Sequence, residues 1–181
     1  MSNTAPGGIP GLRGADHFGF TVPDMEQAVR FFVDVIGCIE VFTIGPFRDP
    51  KGNFMSTQLN VDPQAEIPQI RMLRCKNGAN IELFEFIDSH QKRWPPLNSD
   101  IGGHHLAFYV DDMDEAVTFL RSKGIEICGE PVLSEDGAIA GLRWVYFLAP
   151  WGMQLELVSA PNGMAYERET DLRVWQPESE Q

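Results

Sequence analysis

Long apolar runs, cysteines and basic residues are all scarce in this chain of 181 residues. No apolar run approaches the ~18 residues that cross a bilayer, so no membrane span is predicted. The three cysteines, Cys38, Cys75 and Cys128, form no Cys-x-x-Cys motif, and reduced thiols in a cytoplasmic protein are expected. Lys and Arg number 14 against 26 Asp and Glu, and this net charge of −12 disfavours nucleic acid and anionic membranes as partners.

The hydrophobic content, 43%, is typical of a globular protein and suits one domain or two half-size modules that share a core. Residues 1–13 are rich in Gly and Pro and lack the basic start and apolar stretch of a secretory signal. We expect them to form a flexible tail.

The strongest positive feature is an internal repeat. Residues 16–29, DHFGFTVPDMEQAV, reappear without a gap as residues 104–117, HHLAFYVDDMDEAV. The alignment places His105 in register with His17. His104 falls out of register and is expected to lie on the opposite face of its strand.

A second segment repeats near the end of each copy. Residues 77–83, NGANIEL, match residues 151–157, WGMQLEL, so that Glu82 aligns with Glu156. Each copy therefore supplies one histidine near its start and one glutamate near its end. A purely structural repeat would keep the apolar pattern, but it has no reason to keep both pairs of polar residues in register.

The pattern of β-prone segments, turn residues and helical apolar spacing predicts β-α-β-β-β order in each copy. Helices are predicted after the N-caps Asp24 and Asp112, ending at Gly37 and Gly124. The predicted strands are Asp16–Val22, Cys38–Ile44, Met55–Val61, Ile67–Arg74, Asn80–Ile87, His104–Val110, Ile125–Cys128, Leu142–Leu148 and Met153–Val158.

These elements predict an α+β fold in which two tandem βαβββ modules form a curved mixed sheet around a metal-binding cleft. The predicted divisions are a tail at 1–13, a first module at 14–88, a linker at 89–102, a second module at 103–160 and a C-terminal extension at 161–181. Part of the extension is expected to pack on the domain or on a partner subunit, with Glu178–Gln181 frayed.

The residues themselves favour a metal site. A lone histidine or glutamate in a strand is more often structural, but a carboxylate between apolar neighbours needs a partner. Two imidazoles and two carboxylates neutralise a divalent ion, and the set suits Ni, Co, Zn, Mn or Fe. His90, in the linker, and Glu85, facing away from Glu82, are expected to lie outside the site.

These motifs resemble the vicinal oxygen chelate superfamily, also called the glyoxalase/bleomycin resistance/dioxygenase group. The resemblance spans roughly residues 14–159 and rests on DHFGFTV, HLAFYV, IEL and LEL. It implies that His17, Glu82, His105 and Glu156 ligate one divalent metal ion per site. It also implies that the ion stabilises an enediolate and that a carboxylate, first Glu156 and also Glu82, transfers the proton.

Several functions fit this resemblance. The first is glyoxalase I-like (lactoylglutathione lyase-type) isomerisation of a small carbonyl substrate, since all four ligands are present. The alternatives are a methylmalonyl-CoA epimerase-like enzyme acting on a thioester, an extradiol-type Fe(II) dioxygenase using only His17, His105 and Glu156, and a bleomycin-resistance-type binding protein. A homodimer is expected, with the cleft formed within one chain or across two. Candidate pocket residues are Arg48, Phe54, Met72, Phe84, Tyr109, Trp144 and Trp151.

Overall fold

The computed structural model describes residues 8–177, and it contains one four-stranded mixed sheet for each copy of the repeat. The first sheet consists of β1 (His17–Thr21), β2 (Ile39–Ile44), β3 (Glu66–Arg74) and β4 (Asn80–Ile87). The second consists of β5 (Leu106–Tyr109), β6 (Glu126–Leu133), β7 (Arg143–Leu148) and β8 (Gln154–Ser159). The predicted α+β class is confirmed, with two four-stranded mixed sheets.

The two sheets have the same topology. Their strand orders are β1-β4-β3-β2 and β5-β8-β7-β6. In each sheet the first strand of the module runs parallel to the last and lies at an outer edge, whereas the remaining neighbours are antiparallel. The strands that carry the repeated histidine motifs, β1 and β5, are therefore both edge strands.

One long helix crosses each sheet and begins at the predicted cap. The helix α1 (Met25–Phe31) continues as a π-helical turn to Ile36, and the Asp24 side chain accepts a hydrogen bond from the Gln27 amide at 2.8 Å. The short helix α2 (Phe54–Gln58) precedes β3, and α3 (Met113–Ser122) crosses the second sheet. Gly37 ends the first helical segment at φ 87°, a left-handed conformation that glycine adopts without strain.

The core lies on the helix-facing side of both sheets and is continuous between the modules. Alternate residues of β4, Ile81 and Leu83, are fully buried, as is Leu155 of β8. Val117 of α3 belongs to the same cluster. Because strand side chains alternate between faces, this packing leaves Glu82 and Glu156 on the opposite side of their sheets.

One predicted strand is wrong. Met55–Val61 contains α2 instead, with the Asn53 carbonyl accepting hydrogen bonds from the Thr57 amide and hydroxyl, both at 2.8 Å. Met55 is fully buried in a small second cluster with Ile67 and Ile70. A short segment with two apolar residues fits one helical turn as well as a strand, so the pattern could not distinguish the two.

The C-terminal extension contacts the loop between β6 and β7. A 3-10 helix, Ala165–Arg168, donates backbone hydrogen bonds to the carbonyls of Ala140 and Ala138, at 3.0 and 2.9 Å. The predicted frayed end and most of the predicted N-terminal tail lie outside the described residues. Within residues 8–177, no helix is long and apolar enough to cross a membrane. The division into two modules stays a prediction, since both sheets share one core.

Candidate active site

The first sheet brings His17 and Glu82 together. Strands β1 and β4 are parallel neighbours, with Gly19 paired to Glu82, so His17 lies two residues before the position opposite the glutamate. The two side chains point to the same face, and His17 Nε2 lies 3.3 Å from Glu82 Oε2. The carboxylate is mostly buried, with 18% of its side chain exposed.

The second sheet repeats this arrangement. His105 lies immediately before β5, and Ala107 pairs with Glu156 of β8. His105 Nε2 lies 3.1 Å from Glu156 Oε2, and 13% of the Glu156 side chain is exposed. The sequence repeat therefore has a matching geometric repeat, because the same backbone register produces both pairs.

Each pair suits two adjacent ligands of one divalent ion. Ligand atoms at about 2.1 Å from an ion and at right angles to each other stand about 3.0 Å apart. The His17–Glu82 and His105–Glu156 separations, 3.3 and 3.1 Å, are near this value. Two neutral imidazoles and two carboxylates would also balance the charge of the ion, as a partly buried site requires.

The four predicted ligands do not surround one point in the chain. Over residues 8–177, only Asp62, Asp88 and His90 form a group of three or more potential ligands whose atoms lie within 4.8 Å of one another. No three of the four predicted ligands therefore have their ligand atoms within 4.8 Å of one another. The chain presents two half-sites, one on each sheet.

The other ring nitrogen of each histidine has a partner that sequence reasoning missed. Asp16 Oδ2 lies 2.8 Å from His17 Nδ1. This hydrogen bond raises the pKa of His17, with a smaller contribution from the Glu82 charge. A hydrogen bond at Nδ1 leaves Nε2 free to face a metal ion, which is the usual arrangement around ligating histidines.

The corresponding neighbour of His105 comes from the linker. Asn98 Nδ2 lies 3.3 Å from His105 Nδ1, and rotation of the amide would place its carbonyl oxygen there to accept the Nδ1 proton. Asp16 could have been noticed as a carboxylate beside the repeated histidine. No sequence signal pointed to Asn98, because the linker has no counterpart in the repeat.

Aromatic residues of β7 flank the second half-site. The Tyr146 ring contacts the His105 ring edge-on at 5.1 Å and lies opposite Glu156 in the sheet. Burial raises the pKa of Glu156, and His105 offsets part of this rise. Burial also raises the pKa of Tyr146, and the Glu156 charge adds to the effect. Trp144 packs against Tyr146 at 5.6 Å, so this candidate pocket residue does lie beside the pair.

Two apolar side chains lie beside the first half-site. Phe84 and Met72 are on the Glu82 face of β4 and β3, and their role as pocket residues stays a prediction. Gly19 leaves space there, since an added Cβ would lie 3.4 Å from the Phe84 ring and 3.9 Å from Glu82 Oε2. Phe84 also packs against the small cluster around Met55.

Two other candidates line cavities that none of the four predicted ligands lines. Trp151 packs against the shared core, with its ring 5.6 Å from that of Phe31, and lines a cavity of about 560 Å³ beside β1. Tyr109 lines a second cavity of about 560 Å³, and its hydroxyl accepts a hydrogen bond from the Ala160 amide at 3.3 Å. Arg48 and Phe54 are exposed in the segment that connects β2 to β3.

The histidines expected outside the site do have neighbours of their own. His104 stacks on Phe20, with a centroid separation of 5.8 Å. The linker residue His90 lies near two carboxylates, with Nδ1 3.4 Å from Asp62 Oδ2 and 3.8 Å from Asp88 Oδ1. These three form the potential ligand group described above. Because 80% of the His90 side chain is exposed, this group is more open to solvent than the two half-sites, where the His17 and His105 side chains are 41% and 35% exposed.

Comparison with known proteins identifies the family. Residues 16–147 match the sequence model of the Glyoxalase/Bleomycin resistance protein/Dioxygenase superfamily. A 2-epi-5-epi-valiolone epimerase from Actinomyces sp. is 47% identical over 172 residues, covering 94% of this chain and 92% of the relative.

Solved structures show the same fold at lower identity. A glyoxalase family protein from Bacillus cereus superposes with a TM-score of 0.63 at 20% identity, covering 88% of this chain and 97% of that one. The trypanothione-dependent glyoxalase I of Leishmania major gives a TM-score of 0.54 at 17% identity, with coverages of 87% and 93%. The predicted enzyme is confirmed at the level of the isomerase class. The chain belongs to the glyoxalase/bleomycin resistance protein/dioxygenase superfamily.

Proposed function

We propose that this protein is a metal-dependent epimerase that inverts a stereocentre next to the carbonyl of a small hydroxy ketone. The observation that carries the reaction class is the 47% identity to 2-epi-5-epi-valiolone epimerase over 94% of the chain. The ending of that substrate's name denotes a ketone. A proton on the carbon beside a ketone can be removed and returned, because the electron pair it leaves is delocalised onto the carbonyl oxygen.

The four repeated residues would hold the ion. His17 and His105 offer Nε2 atoms, and Glu82 and Glu156 offer carboxylate oxygens, in the two pairs described above. When bound, a divalent ion supplies Lewis acidity that stabilises negative charge on the carbonyl oxygen. Asp16, through Nδ1, fixes the orientation of the His17 ring.

The two carboxylates divide the proton transfer in this proposal. Inversion requires that a proton leave one face of the carbon and that a proton return to the other face. Glu156 takes the first proton as the C–H electrons move toward the oxygen. Glu82, from the pseudo-symmetric module, enters this step protonated and delivers its proton to the opposite face. Exchange with water then removes the proton from Glu156 and returns one to Glu82. The electrons return to carbon, so the reaction needs no oxidant or reductant.

The complete site would form between two chains. Each half-site lies beside an outer strand, β1 in the first sheet and β5 in the second. Edge strands present unpaired backbone groups that can join another strand. Placing β1 of one subunit beside β5 of its partner would bring the two half-sites together, and two-fold symmetry would create two such sites.

The surroundings of these edges support association. Phe18 of β1 is 44% exposed although its neighbours Phe20 and Val22 are buried. A cavity of about 560 Å³ lies beside β1 and is lined by Gly19, Thr21 and linker residues including Trp94. Its volume lies within the range of small-molecule sites, about 300–1,000 Å³, but none of the four proposed ligands lines it in the single chain.

Complementation between two inactive variants tests the shared site. His17→Ala and His105→Ala should each abolish epimerisation of 2-epi-5-epi-valiolone, followed by NMR in D₂O. Random pairing of equal amounts of the two variants makes half of the dimers mixed, and each mixed dimer would hold one intact site. We therefore expect about a quarter of wild-type activity to return. A site within one chain predicts no recovery after mixing.

Metal analysis tests the proposed ion ligands independently of the proposed substrate. His105→Ala should lose the bound ion while the circular dichroism spectrum stays unchanged. His90→Ala is the matched control, because it removes a histidine from the exposed ligand group but leaves both half-sites intact. Full metal occupancy in His105→Ala would refute the ligand assignment, whatever the substrate.

Glyoxalase I-type isomerisation is the second candidate, and the presence of all four ligand residues favours it. It also moves a proton next to a carbonyl, but it requires a thiol adduct of the substrate. An assay with methylglyoxal and glutathione distinguishes the reactions. Turnover there, without inversion of the cyclic ketone substrate, would replace the epimerase proposal.

A further inference from the structure

A pair of cysteines lies in and against the shared core, on the side of the first sheet opposite Glu82, and has no part in the proposed reaction. Ile39 of β2 pairs with Arg74 of β3, so one further step along the antiparallel ladder places Cys38 opposite Cys75. The two thiols are hydrogen-bonded to each other, and both cysteines are free. Cys128, the third cysteine, lies in the other sheet.

The backbone around the pair suits a cross-link. The Cys38 amide donates to the Phe32 carbonyl at 2.8 Å, and the Cys75 carbonyl accepts from the Gly78 amide at 2.9 Å. The two cysteines therefore do not form a hydrogen-bonded ladder pair. In an antiparallel sheet, opposite residues that are not hydrogen-bonded to each other have Cα atoms about 4.5 Å apart. This separation lies within the Cα–Cα range of disulfides, about 4.4–6.8 Å.

The two thiols differ in access. Cys38 is 3% exposed, whereas Cys75 is partly exposed and lines a cavity of about 560 Å³ together with Phe18 and Leu106. The hydrogen bond from Cys38, together with the charges of Lys76 and Arg74, lowers the pKa of Cys75 despite its partial burial. The same hydrogen bond and its own burial raise the pKa of Cys38.

We propose that Cys38 and Cys75 form a reversible dithiol–disulfide site whose oxidant is a low-molecular-weight disulfide. The Cys75 thiolate attacks one sulfur of the small disulfide, forms a mixed disulfide and releases one small thiolate. The Cys38 thiol then loses its proton and attacks the Cys75 sulfur, releasing the second thiolate. Two protein thiols are oxidised and one small disulfide is reduced, so the protein loses two hydrogen atoms.

The chain contains its own control. Cys128 is more exposed than Cys75, but its neighbour on the sheet is not a thiol, and burial together with Glu126 raises its pKa. It can form a mixed disulfide with a small thiol but has no nearby thiol to displace it. If exposure alone determined reactivity, the small thiol would be attached at Cys128. The proposed site instead predicts a disulfide between Cys38 and Cys75.

Mass spectrometry of the folded protein after treatment with glutathione disulfide tests the site. We expect wild type and Cys128→Ser to lose about 2 Da from the reactive pair, reversibly with dithiothreitol. Peptide mapping without reduction should recover the segments around Cys38 and Cys75 as one linked species. Cys38→Ser should instead retain glutathione on Cys75, because no thiol is available to resolve the adduct.

One further variant serves as a control, and two results would contradict the proposal. Cys75→Ser should leave Cys38 unmodified, since that thiol is buried. A stable glutathione adduct on Cys75 of the wild type would overturn the proposal, as would a linked peptide that contains Cys128. The wild-type peptide map does not depend on the folding of any variant, so the proposal stays testable if a serine substitution destabilises the core.

Discussion

The two half-sites contain the same pair of residue types but differ in what surrounds them. His17 has a carboxylate, Asp16, at its Nδ1, whereas His105 has the neutral amide of Asn98. The first pair faces Phe84 and a small apolar cluster, and the second faces Tyr146. The repeated register positions the His–Glu pairs, whereas side chains that differ between aligned positions, together with Asn98 of the linker, make the halves unequal.

This difference shows how a duplicated module can serve an asymmetric reaction. An epimerase acts on two faces of one carbon, and the groups on the two faces have opposite tasks at any moment. The hydroxyl of Tyr146 provides polar surface beside Glu156, whereas Phe84 and Met72 provide apolar surface beside Glu82. We expect the hydroxyl groups of a substrate to lie toward the second sheet, where hydrogen-bonding partners are available.

Replacing one carboxylate at a time should have the largest effect on activity and should separate the roles of the two half-sites. Glu156→Gln and Glu82→Gln keep the shape of the side chain but remove its ability to carry a proton. Each should lower kcat for epimerisation about 10³-fold, within the range of acid–base effects. Glu82→Gln should still exchange the substrate proton with D₂O without inversion, whereas Glu156→Gln should lose exchange as well.

Glu85→Gln is the matched control for these variants. Its carboxylate accepts a hydrogen bond from Gln69 at 3.1 Å and faces away from the site, so activity should be retained. Equal loss of exchange in Glu82→Gln and Glu156→Gln would contradict the division of tasks. It would indicate that a single carboxylate, assisted by the other, moves the proton.

Truncation of the core tests whether the modules are equal in stability. Leu83 and Leu157 occupy equivalent positions in the repeat, and both are buried in the shared cluster. Either change to alanine should lower the free energy of unfolding by about 2–5 kcal/mol, because it removes buried methyl groups and leaves a cavity. Chemical denaturation followed by circular dichroism should show one transition. Two transitions, only one of which shifts, would show that the modules unfold separately.

The smallest effect should come from Asp16 and Asn98, which contact the Nδ1 atoms of the two histidines. Asp16→Ala should weaken metal binding about 10–100-fold, because the His17 ring loses the partner that orients it. Asn98→Ala should weaken metal binding less, since a neutral amide at 3.3 Å polarises the His105 ring only weakly. Metal titration of the two variants measures the difference, with the exposed Asp136→Ala as control. A larger loss in Asn98→Ala would reverse the ranking of the two neighbours.

The sequence predicted the parts of this molecule that depend on local periodicity. The caps at Asp24 and Asp112, the order of elements in each module and the matched positions of the two histidines and two glutamates all follow from patterns within one copy or between the copies. α2 was missed because five residues of apolar and polar side chains carry too little periodicity. Asn98 was missed because contacts from a non-repeated linker depend on the tertiary path of the chain, which no local pattern encodes.

The proposed meeting of the two half-sites between subunits would make the number of active sites depend on protein concentration. If β1 and β5 meet only between subunits, the number of working sites equals twice the number of dimers and falls to zero for isolated chains. Specific activity should then decline on dilution below the dissociation constant of the dimer. A substrate that bridges the two subunits would counter this decline, because it binds only the assembled form and thereby stabilises it.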